Sequence, residues 1–470
     1  MRKPFRRRTC LALAVIVLDC GDSSAPPPPQ STQERPAAST PEGPSVLLYV
    51  VDTLRADGLP RYGNRSVETP AVDQLAREGT LFLDAQAPSS WTRASVATIL
   101  TGLYPGVHGA EDRNDALSER LVLLPELFAE RGYATGAVVA NPNVGSFYGF
   151  DQGYDEYVEL YERRARGMID ARESVVPSDQ VTERVKRWID SVEGPFFLFV
   201  LSIDPHWPYE PPAAFDRHRG GYAGRVDSDP LAITRKDLSP ADRARLRSLY
   251  EGEIAFNDDS LGRLLEHLRL RGRYDDTIVV FTSDHGEEFW EHGNTMHGLS
   301  LFEESIRVPL IIRSRAGLPV AARVEAPVAL VDIAPTLLEL TGIPVPYALD
   351  GRSLTQPPAG GERSRYASLD LDGVQTRAIT HAPWKLIFRS EGQAALLYNL
   401  ELDAKESWNL AAKHPDRVAT LSALLSERVA TNARRRAQLV GEGAAASVSE
   451  DDLSEDARRA LEALGYIDAD

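Results

Sequence analysis

The sequence predicts an α/β fold, a doubly wound and mainly parallel sheet flanked by helices, with a small C-terminal α+β subdomain. Three observations support this class: short continuous apolar runs, helical patterns between them, and a change of texture after about Pro346. A continuous apolar run is typical of a strand buried on both faces of a parallel sheet, and alternation of such strands with helices is typical of doubly wound folds. The predicted strands are Val46–Val51, Thr135–Val139, Phe196–Ile203, Thr277–Thr282 and Val308–Ile312.

Helical patterns separate these runs and complete a predicted catalytic domain over residues 45–345. Two further segments, Tyr161–Val176 and Phe215–Asp242, are polar and Gly-punctuated, which predicts loops or lids at one edge of the sheet. The predicted helices are Ala71–Glu78, Leu121–Arg131, Ser178–Val192 and Arg245–Arg271.

The C-terminal part has a different pattern. Within residues 346–436, "TRAITHAPWKLIFRS" and "ALLYNLELD" predict antiparallel strands, and a helix follows from His414 to about Arg436. Residues 437–470 are predicted to be a tail with one short amphipathic helix in "LSEDARRALEALGYID".

The N-terminus has the pattern of an export signal. A basic run precedes the apolar segment Leu11 to Leu18, which is too short to span a membrane. We therefore interpret residues 1–20 as a signal segment and the Pro-rich residues 21–44 as a disordered tether. Cys20 resembles the lipid-modified cysteine of bacterial lipoproteins. That resemblance implies an exported envelope protein, periplasmic or at the cell surface, whose only membrane contact is a lipid anchor.

The charge balance excludes one class of partner. The 470 residues include 52 basic and 69 acidic side chains, a formal net charge of −17, and the body of the chain contains no basic stripe. Nucleic-acid binding needs concentrated positive charge, so we expect no nucleic-acid partner.

Three predicted strands deliver acidic or imidazole side chains to one edge of the sheet. Asp52 follows the first strand, Asp204 and His206 follow the third, and Asp284 and His285 follow the fourth. Ligand groups of open α/β sheets gather beyond the carboxyl ends of the strands. Two carboxylates, an imidazole and a hydroxyl form a credible site for Zn²⁺, Mn²⁺ or Ca²⁺.

Thr92 could supply the hydroxyl. It lies in "SSWTRASVATILTGLYP", where Ser89 and Ser90 are predicted N-caps and the apolar spacing predicts a helix that begins close to Thr92. A helix N-terminus favours an anion by only about 0.3–1 kcal/mol, so activation of the hydroxyl would need a metal ion. The simpler alternative is that Thr92 only caps the helix.

Several ordered motifs resemble the sulfatases and related members of the alkaline phosphatase superfamily. They are "VVDTLRADGL", "WTRASVATILTGLYPGVHG", "VFTSDHGEEFWEHG" and "MHGLSLFEESIRVPLII", and the resemblance covers about residues 45–435. The resemblance implies that Asp52, Asp284 and His285 are metal ligands and that Thr92 is the metal-bound nucleophile. It also implies that His206 and His297 contact the transferred group or protonate the leaving group.

The nucleophile position departs from the family pattern. Sulfatases carry Cys or Ser there, oxidised to formylglycine, and a Thr cannot yield that aldehyde. Phosphoryl-transferring relatives, among them phosphodiesterases, use Thr at this position. Asn141 and Asn143 stand where relatives touch the anion, so they are predicted to bind substrate, and His108 is a further candidate substrate contact.

The resemblance implies a metal-dependent hydrolase of a sulfate or phosphate ester, with one divalent ion and a small-molecule, glycan or lipid ester as substrate. A second metal ion on Asp204, His206 and His297 is a less favoured alternative. Two other functions stay open at this point. One is a transferase that moves a phosphoryl-linked headgroup onto an envelope glycan or lipid, and the other is a non-catalytic binding lipoprotein that keeps the fold.

Overall fold

The computed structural model describes residues 43–161, 176–217, 222–226, 232–356, 363–389, 394–441, 446–449, 452–464 and 466. The predicted signal segment, nearly all of the predicted tether, most of the loop predicted over 161–176, and part of that predicted over 215–242 lie outside these residues. Within the described part, no helix combines the length and the hydropathy that crossing a membrane requires.

The strands of the described residues belong to one large sheet, one small sheet and two short pairs. They are β1 (Ser45–Val51), β2 (Thr80–Gln86), β3 (Asp115–Ala116), β4 (Ala134–Val139), β5 (Glu156–Glu159), β6 (Phe196–Ser202), β7 (Thr277–Ser283), β8 (Glu288–Phe289), β9 (Thr295–Met296), β10 (Arg307–Arg313), β11 (Ala322–Val324), β12 (Val328–Ala329), β13 (Arg365–Leu371), β14 (Val374–His381), β15 (Trp384–Arg389), β16 (Leu396–Asn399) and β17 (Ala446–Ser447).

The α-helices of the described residues follow in the same way. They are α1 (Pro70–Glu78), α2 (Thr92–Thr101), α3 (Pro105–His108), α4 (Leu124–Glu130), α5 (Ser178–Ser191), α6 (Pro240–Leu270), α7 (Glu303–Ile306), α8 (Ile333–Thr341), α9 (Pro415–Leu439) and α10 (Glu455–Ala463).

The predicted fold class is confirmed. Among the described residues, nine strands form the large sheet in the order β11-β2-β10-β7-β1-β6-β4-β5, with β12 beside β2. Strands β7, β1, β6, β4 and β5 run parallel. Every residue of β1, β6 and β7 is buried, as the continuous apolar runs predict for strands covered on both faces.

One half of the large sheet differs from the prediction. Strand β10 runs antiparallel to both β7 and β2, and neither β2 nor the short edge strand β5 was predicted. The apolar run of β10 carries no information about direction. The connection from β7 to β10 contains only a two-stranded hairpin and the four-residue helix α7, without the crossover helix that a parallel return usually needs.

Helix α6 begins five residues before the predicted start at Arg245, inside the segment that was predicted as a loop. Its first turn is fixed by a capping box: Ser239 Oγ accepts from the Asp242 amide at 3.2 Å, and Asp242 Oδ2 accepts from the Ser239 amide at 3.0 Å. This reciprocal pair satisfies two backbone donors that would otherwise be unpaired.

The small sheet, β13-β14-β15-β16, is antiparallel throughout and confirms the predicted α+β subdomain. Leu421 and Leu425 of α9 pack against Ile379 and Leu386 of this sheet. The exact boundaries between the predicted domains stay a prediction.

The parallel strands position the functional residues. Because β1, β4, β6 and β7 share one direction, the segments that follow them leave the sheet at the same edge. Asp52, Asn141, His206 and Asp284 all lie in those segments. Side chains that are far apart in sequence therefore meet at this edge.

Candidate active site

Asp52 follows β1 at a sharp turn of the backbone. The next residue, Thr53, has a φ of 56°, a left-handed conformation that costs a β-branched residue about 1–3 kcal/mol. The hydroxyl of Tyr250, from α6, holds this turn by donating to the Thr53 carbonyl at 2.8 Å and accepting from the Arg55 amide at 3.0 Å. Asp52 is fully buried, and its Oδ2 accepts from Asn141 Nδ2 at 2.5 Å. Its Oδ1 has no hydrogen-bond partner among the described residues.

Asp284 and His285 follow β7, the strand beside β1. Asp284 Oδ1 accepts from the Thr53 amide at 3.2 Å and from the His285 amide at 2.8 Å. Asp284 Oδ2, like Asp52 Oδ1, is without a partner in the described part of the chain. His285 Nδ1 donates to the Gly286 carbonyl at 2.9 Å, since a carbonyl oxygen can only accept. This bond leaves a lone pair on Nε2, which lies 3.1 Å from Thr92 Oγ1.

These side chains fit a divalent cation. Ligand atoms of Asp52, Asp284 and His285 lie within 4.8 Å of one another, and all three residues are buried. Buried carboxylate oxygens normally have hydrogen-bond partners, and Asp52 Oδ1 and Asp284 Oδ2 have none among the described residues. Burial, and then the charge of Asp284, raise the pKa of Asp52 well above its usual value. A cation bound by these oxygens would offset both effects.

Thr92 is the first residue of α2 and is fully buried. The prediction that Ser89 and Ser90 cap this helix is wrong. Trp91 is the N-cap residue and makes no side-chain cap bond, since an indole has no acceptor. Ser90 Oγ donates to the Ser300 carbonyl at 2.7 Å. The Thr92 hydroxyl faces His285 and the metal-ligand group, so its role is not that of a cap.

His206 and His297 are brought together at the same edge, with ring centroids 4.9 Å apart. His206 Nδ1 donates to the Trp207 carbonyl at 2.5 Å. His297 Nδ1 lies 3.0 Å from Glu287 Oε1, and Glu287 Oε2 accepts from the Tyr209 hydroxyl at 3.0 Å. Burial is the main cause that lowers the pKa of both histidines well below the usual value and raises the pKa of Glu287 to about 8. Neutral imidazoles are therefore held in fixed orientations close to His285, whose ring centroid lies 4.6 Å from that of His297.

Asn141 and Asn143 follow β4, and the structure separates their environments. Asn141 Nδ2 contacts the Asp52 carboxylate, and Asn141 Oδ1 accepts from the Asn143 amide at 2.9 Å. The buried guanidinium of Arg93 holds Asn143 by donating to its Oδ1 at 3.0 Å and to its carbonyl at 3.2 Å. Asn141 thus joins the ligand group directly, whereas the contacts of Asn143 fix the loop. Binding of substrate by either residue stays a prediction.

His108 lies apart from this group. Its Nδ1 accepts from the Ala110 amide at 3.1 Å, so its proton is on Nε2, which donates to the Ala94 carbonyl at 3.2 Å and lies 3.1 Å from Thr98 Oγ1. Burial lowers the pKa of His108 to about 3. These contacts join α2 to α3, and they give no support to the predicted substrate contact.

Asp204 follows β6, but its side chain is used elsewhere. Its Oδ2 accepts from the Ser178 amide, at the start of α5, at 2.7 Å. Asn257 of α6 donates to the Asp204 carbonyl at 3.0 Å and to Ser202 Oγ at 2.9 Å. The prediction that Asp204 and His206 reach the site together holds only for His206. A second metal ion on Asp204 therefore has no structural support.

Tyr466 is the residue that sequence reasoning missed most clearly. It is 3% exposed, although it belongs to the segment that was predicted only as a tail. Its hydroxyl lies 2.9 Å from Asn141 Nδ2 and 2.8 Å from His206 Nε2. The C-terminal segment thus reaches the candidate active site.

Comparison with family models decides the family. Residues 44–343 match the model described as "Sulfatase", and residues 291–435 match "N-sulphoglucosamine sulphohydrolase, C-terminal". The first match spans more than half of the chain. The chain belongs to the sulfatase family of ester hydrolases.

Individual relatives agree with this sulfatase assignment. Arylsulfatase K of Bos taurus is 27% identical in a match that covers 87% of this chain and 86% of that protein. The multifunctional alkaline phosphatase superfamily protein PehA of Trinickia caryophylli is 28% identical in a match that covers 68% of this chain and 78% of PehA. The crystal structure of the phosphonate monoester hydrolase of Agrobacterium radiobacter matches with a TM-score of 0.69 at 23% identity, covering 83% of this chain and 96% of that one. The structural match supports the fold.

Two other residues of this sulfatase site were not predicted, and only one had a signal in the sequence. Glu287 stands three residues after Asp284 in "SDHGEE", so a polar run at a strand end could have revealed it. Tyr250 lies on a helix without any local mark of its contact with the Thr53 turn. The same is true of Tyr466, whose contacts depend on how the end of the chain folds back.

Proposed function

We propose that this protein is a metal-dependent hydrolase of sulfate or phosphate esters in which Thr92 is the nucleophile, with preference for phosphorus. The observation that carries the proposal is the position of Thr92 Oγ1, 3.1 Å from His285 Nε2. His285 lies in one buried group with Asp52 and Asp284. Asp52 Oδ1 and Asp284 Oδ2 have no hydrogen-bond partner among the described residues. A hydroxyl beside such a group is placed for nucleophilic attack.

Asp52, Asp284, His285 and Thr92 would hold the cation. When bound, a divalent ion supplies Lewis-acid stabilisation of the oxyanion and lowers the pKa of the Thr92 hydroxyl. Thr92 Oγ gives its proton to His297 Nε2 and forms a bond to the phosphorus while the bond from phosphorus to the leaving oxygen breaks. Asn141 Nδ2 can donate to an oxygen of the transferred group. Water then gives a proton to His206 Nε2 and attacks the phosphorus of the Thr92 ester, and the Thr92 oxygen departs with that proton.

His297 is the best-placed residue to pass the proton taken from Thr92 to the leaving alcohol. Its Nδ1 is fixed by Glu287, at 3.0 Å, and Glu287 is itself held by Tyr209. This chain sets the orientation of the imidazole and leaves Nε2 for the site. His206 has the same arrangement, since its Nδ1 is bound by a backbone carbonyl. Two histidines held in this way can exchange a proton with the leaving group and with the attacking water.

The preference for phosphorus follows from the chemistry of Thr92. The formylglycine route of sulfatases needs a Cys or Ser that can be oxidised to an aldehyde, and a threonine side chain cannot form it. The names of two relatives, an arylsulfatase and a phosphonate monoester hydrolase, support water as the group that accepts the transferred phosphoryl. They therefore support a hydrolase over the transferase and the non-catalytic alternatives.

The test compares substrates and variants in one series. Protein supplied separately with Mn²⁺, Zn²⁺ or Ca²⁺ is assayed with 4-nitrophenyl sulfate, 4-nitrophenyl phosphate and bis(4-nitrophenyl) phosphate. We expect turnover of the phosphorus esters, its loss in Thr92→Ala, and partial retention in Thr92→Ser. An acid quench should leave one phosphoryl group on Thr92, visible by mass spectrometry.

Thr420→Ala is the matched control, because Thr420 is exposed on α9 and, among the described residues, its hydroxyl bonds only the Asp416 carbonyl, at 3.0 Å. Turnover that persists in Thr92→Ala contradicts the assigned nucleophile. Sulfate turnover that exceeds phosphate turnover and depends on Thr92 contradicts the preference for phosphorus.

Export to the cell envelope with a lipid on Cys20 is also part of this proposal, as is a small-molecule, glycan or lipid ester as the substrate. Cys20→Ala should move the protein from the membrane fraction to the soluble fraction of cells. The same distribution of wild-type protein and variant would contradict the anchor.

A further inference from the structure

The Tyr466 hydroxyl occupies the position beside the nucleophile. It hydrogen bonds with Asn141 Nδ2 at 2.9 Å and with His206 Nε2 at 2.8 Å. Its ring packs edge-on against Trp91, with centroids 5.1 Å apart, and tilted against His206 at 5.6 Å. Every polar partner of this phenol therefore belongs to the proposed catalytic group.

The segment that carries Tyr466 is anchored at two places. Ala457 and Ala460 of α10 are buried against Tyr161. At the other end, Arg113 donates to the Tyr466 carbonyl. Arg113 is fixed in turn by Asp372, which it binds through two hydrogen bonds of 2.6 and 2.9 Å. The tyrosine is thus held in place by contacts outside the site.

This placement conflicts with the binding of an ester. A group about to be attacked by Thr92 must lie about 3–3.5 Å from its oxygen, and its oxygens need the same donors that face the site. Asn141 Nδ2 and His206 Nε2 are already bonded to the phenol, and the ring packs against Trp91, the residue before Thr92. The ester and Tyr466 cannot occupy this space together.

We propose that the C-terminal segment is an autoinhibitory element, in which Tyr466 occupies the reacting position as an internal ligand that the substrate must displace. The inference rests on the proposed function, since Thr92 defines the reacting position. Apparent affinity for the substrate is then the intrinsic affinity reduced by the fraction of molecules in which the segment has moved away. Removing the side chain should raise affinity, whereas removing a catalytic group would lower turnover.

The experiment uses the full chain supplied with Mn²⁺ and compares wild type, Tyr466→Phe and Tyr466→Ala. Calorimetry with inorganic phosphate, and separately with inorganic sulfate, should give at least about tenfold tighter binding to Tyr466→Ala, with an intermediate value for Tyr466→Phe because its ring remains. The KM for 4-nitrophenyl phosphate should fall in the same order. Tyr274→Phe is the control, because its hydroxyl bonds Glu78 at the opposite end of β7, and it should behave as wild type.

A second arm needs neither turnover nor metal. In Tyr466→Ala the missing side chain leaves an apolar cavity with two polar donors or acceptors, so 4-methylphenol should bind there and compete with phosphate. Toluene, which lacks the hydroxyl, should bind at least about tenfold more weakly, and wild type should bind neither. Binding of 4-methylphenol without any ester turnover would support this inference and reject the proposed function.

Three results would overturn the inference. The first is that Tyr466→Ala binds phosphate and sulfate no more tightly than wild type does, which includes the case in which no variant binds either anion. The second is that wild type and Tyr466→Ala bind 4-methylphenol with equal affinity. The third is a tenfold fall of kcat in Tyr466→Phe while its affinity for the anions is unchanged. The last result would make the hydroxyl a catalytic group. Thermal unfolding of each variant shows that these comparisons are made on folded protein.

Discussion

Two buried clusters of charge in this protein use similar carboxylates and differ in the source of their cation. In the first, Asp52 and Asp284 lie beside His285, and no ion pair with Lys or Arg joins them among the described residues. In the second, the buried ammonium of Lys385, on β15, lies 2.9 Å from a carboxylate oxygen of Glu303 and 2.9 Å from one of Glu406.

The ammonium changes the electrostatics of the second cluster. Although burial opposes it, the charge of Lys385 holds the pKa of Glu303 below its usual value, and Glu303 and Glu406 raise the pKa of Lys385 against its burial. At Glu406 burial outweighs the charge of Lys385 and raises the pKa to about 7. Asp52 has no such partner, and its pKa is raised. A cluster that contains its own cation can fold without a ligand. A cluster of carboxylates alone gains stability when a cation binds, and this difference separates a structural group from a functional one.

The largest expected effect is the loss of activity in Asp284→Asn. Removal of one ligand carboxylate should lower kcat/KM by at least about 10⁴-fold, equivalent to roughly 5–6 kcal/mol in the barrier. In the presence of a chelator the same variant should unfold at the same or a higher temperature than wild type, because a repulsion with Asp52 is removed. A strongly destabilised Asp284→Asn protein would contradict the distinction between the two clusters, since the first cluster would then be needed for folding.

Lys385→Met should act in the opposite way. Two buried carboxylates would lose their cation, which costs about 3–5 kcal/mol in the free energy of unfolding. Urea denaturation measures this loss, and the folded fraction should keep its kcat. Lys413→Met, at an exposed lysine, is the matched control. A loss below about 1 kcal/mol in Lys385→Met would show that the ammonium is not needed.

Metal addition should stabilise the protein through the first cluster. A cation at one hundred times its Kd adds about 2.7 kcal/mol to the free energy of unfolding. The melting temperature should therefore rise with Mn²⁺ or Zn²⁺ and fall with EDTA in wild type and in Lys385→Met, and should not change in Asp284→Asn. A shift that survives in Asp284→Asn would place the ion elsewhere.

A smaller effect is expected from a partly exposed pair that also contains its own cation. Burial opposes it, but the charge of Arg55 and hydrogen bonds from Arg247 and Arg55 lower the pKa of Glu291 to about 2 from an ordinary 4.5. A lowered folded-state pKa means stability that is present above pH 4.5 and lost as the pH falls towards 2. Since 25% of the Glu291 side chain is exposed, screening limits the effect to about 1–2 kcal/mol.

Glu291→Gln measures this contribution. Its unfolding free energy, determined with EDTA present, should lie below that of wild type at pH 7 and approach it as the pH falls from 4.5 to 2. A difference that stays constant over this range would show that the carboxylate charge does not matter. The trend would be absent in Thr420→Ala.

Much of the large sheet could be predicted because its central strands carry their own signal. The runs that became β1, β6 and β7 are mainly apolar, with Ser or Thr only at or next to their ends, and the residues at their carboxyl ends include Asp52 and Asp284. The direction of β10 could not be predicted, because it depends on the length and content of the connection and not on the strand itself. Strand β2 was missed because its pairing with β10 is a long-range contact.

The same reason limits prediction of the site. The group of Asp52, Asp284 and His285 could be predicted from strand ends, and the position of Thr92 from a helix start, so local patterns were sufficient. Tyr466 and Tyr250 act through contacts with residues more than 190 positions away in the chain, and a single tyrosine on or after a helix has no pattern that marks such a contact. The left-handed conformation of Thr53 is likewise held by a long-range contact, the hydrogen bond from the Tyr250 hydroxyl to the Thr53 carbonyl.

Helix α6 supports two different parts of the site from one face. Tyr250 holds the turn after β1, and Asn257 holds the turn after β6. These residues are seven positions apart, which is about two helical turns or 10.5 Å. The distance between the two turns is therefore set by the rise of one helix over two of its turns. Insertion of a single residue between positions 250 and 257 would rotate one clamp about 100° away from its turn, and would dismantle the active site without altering any residue in it.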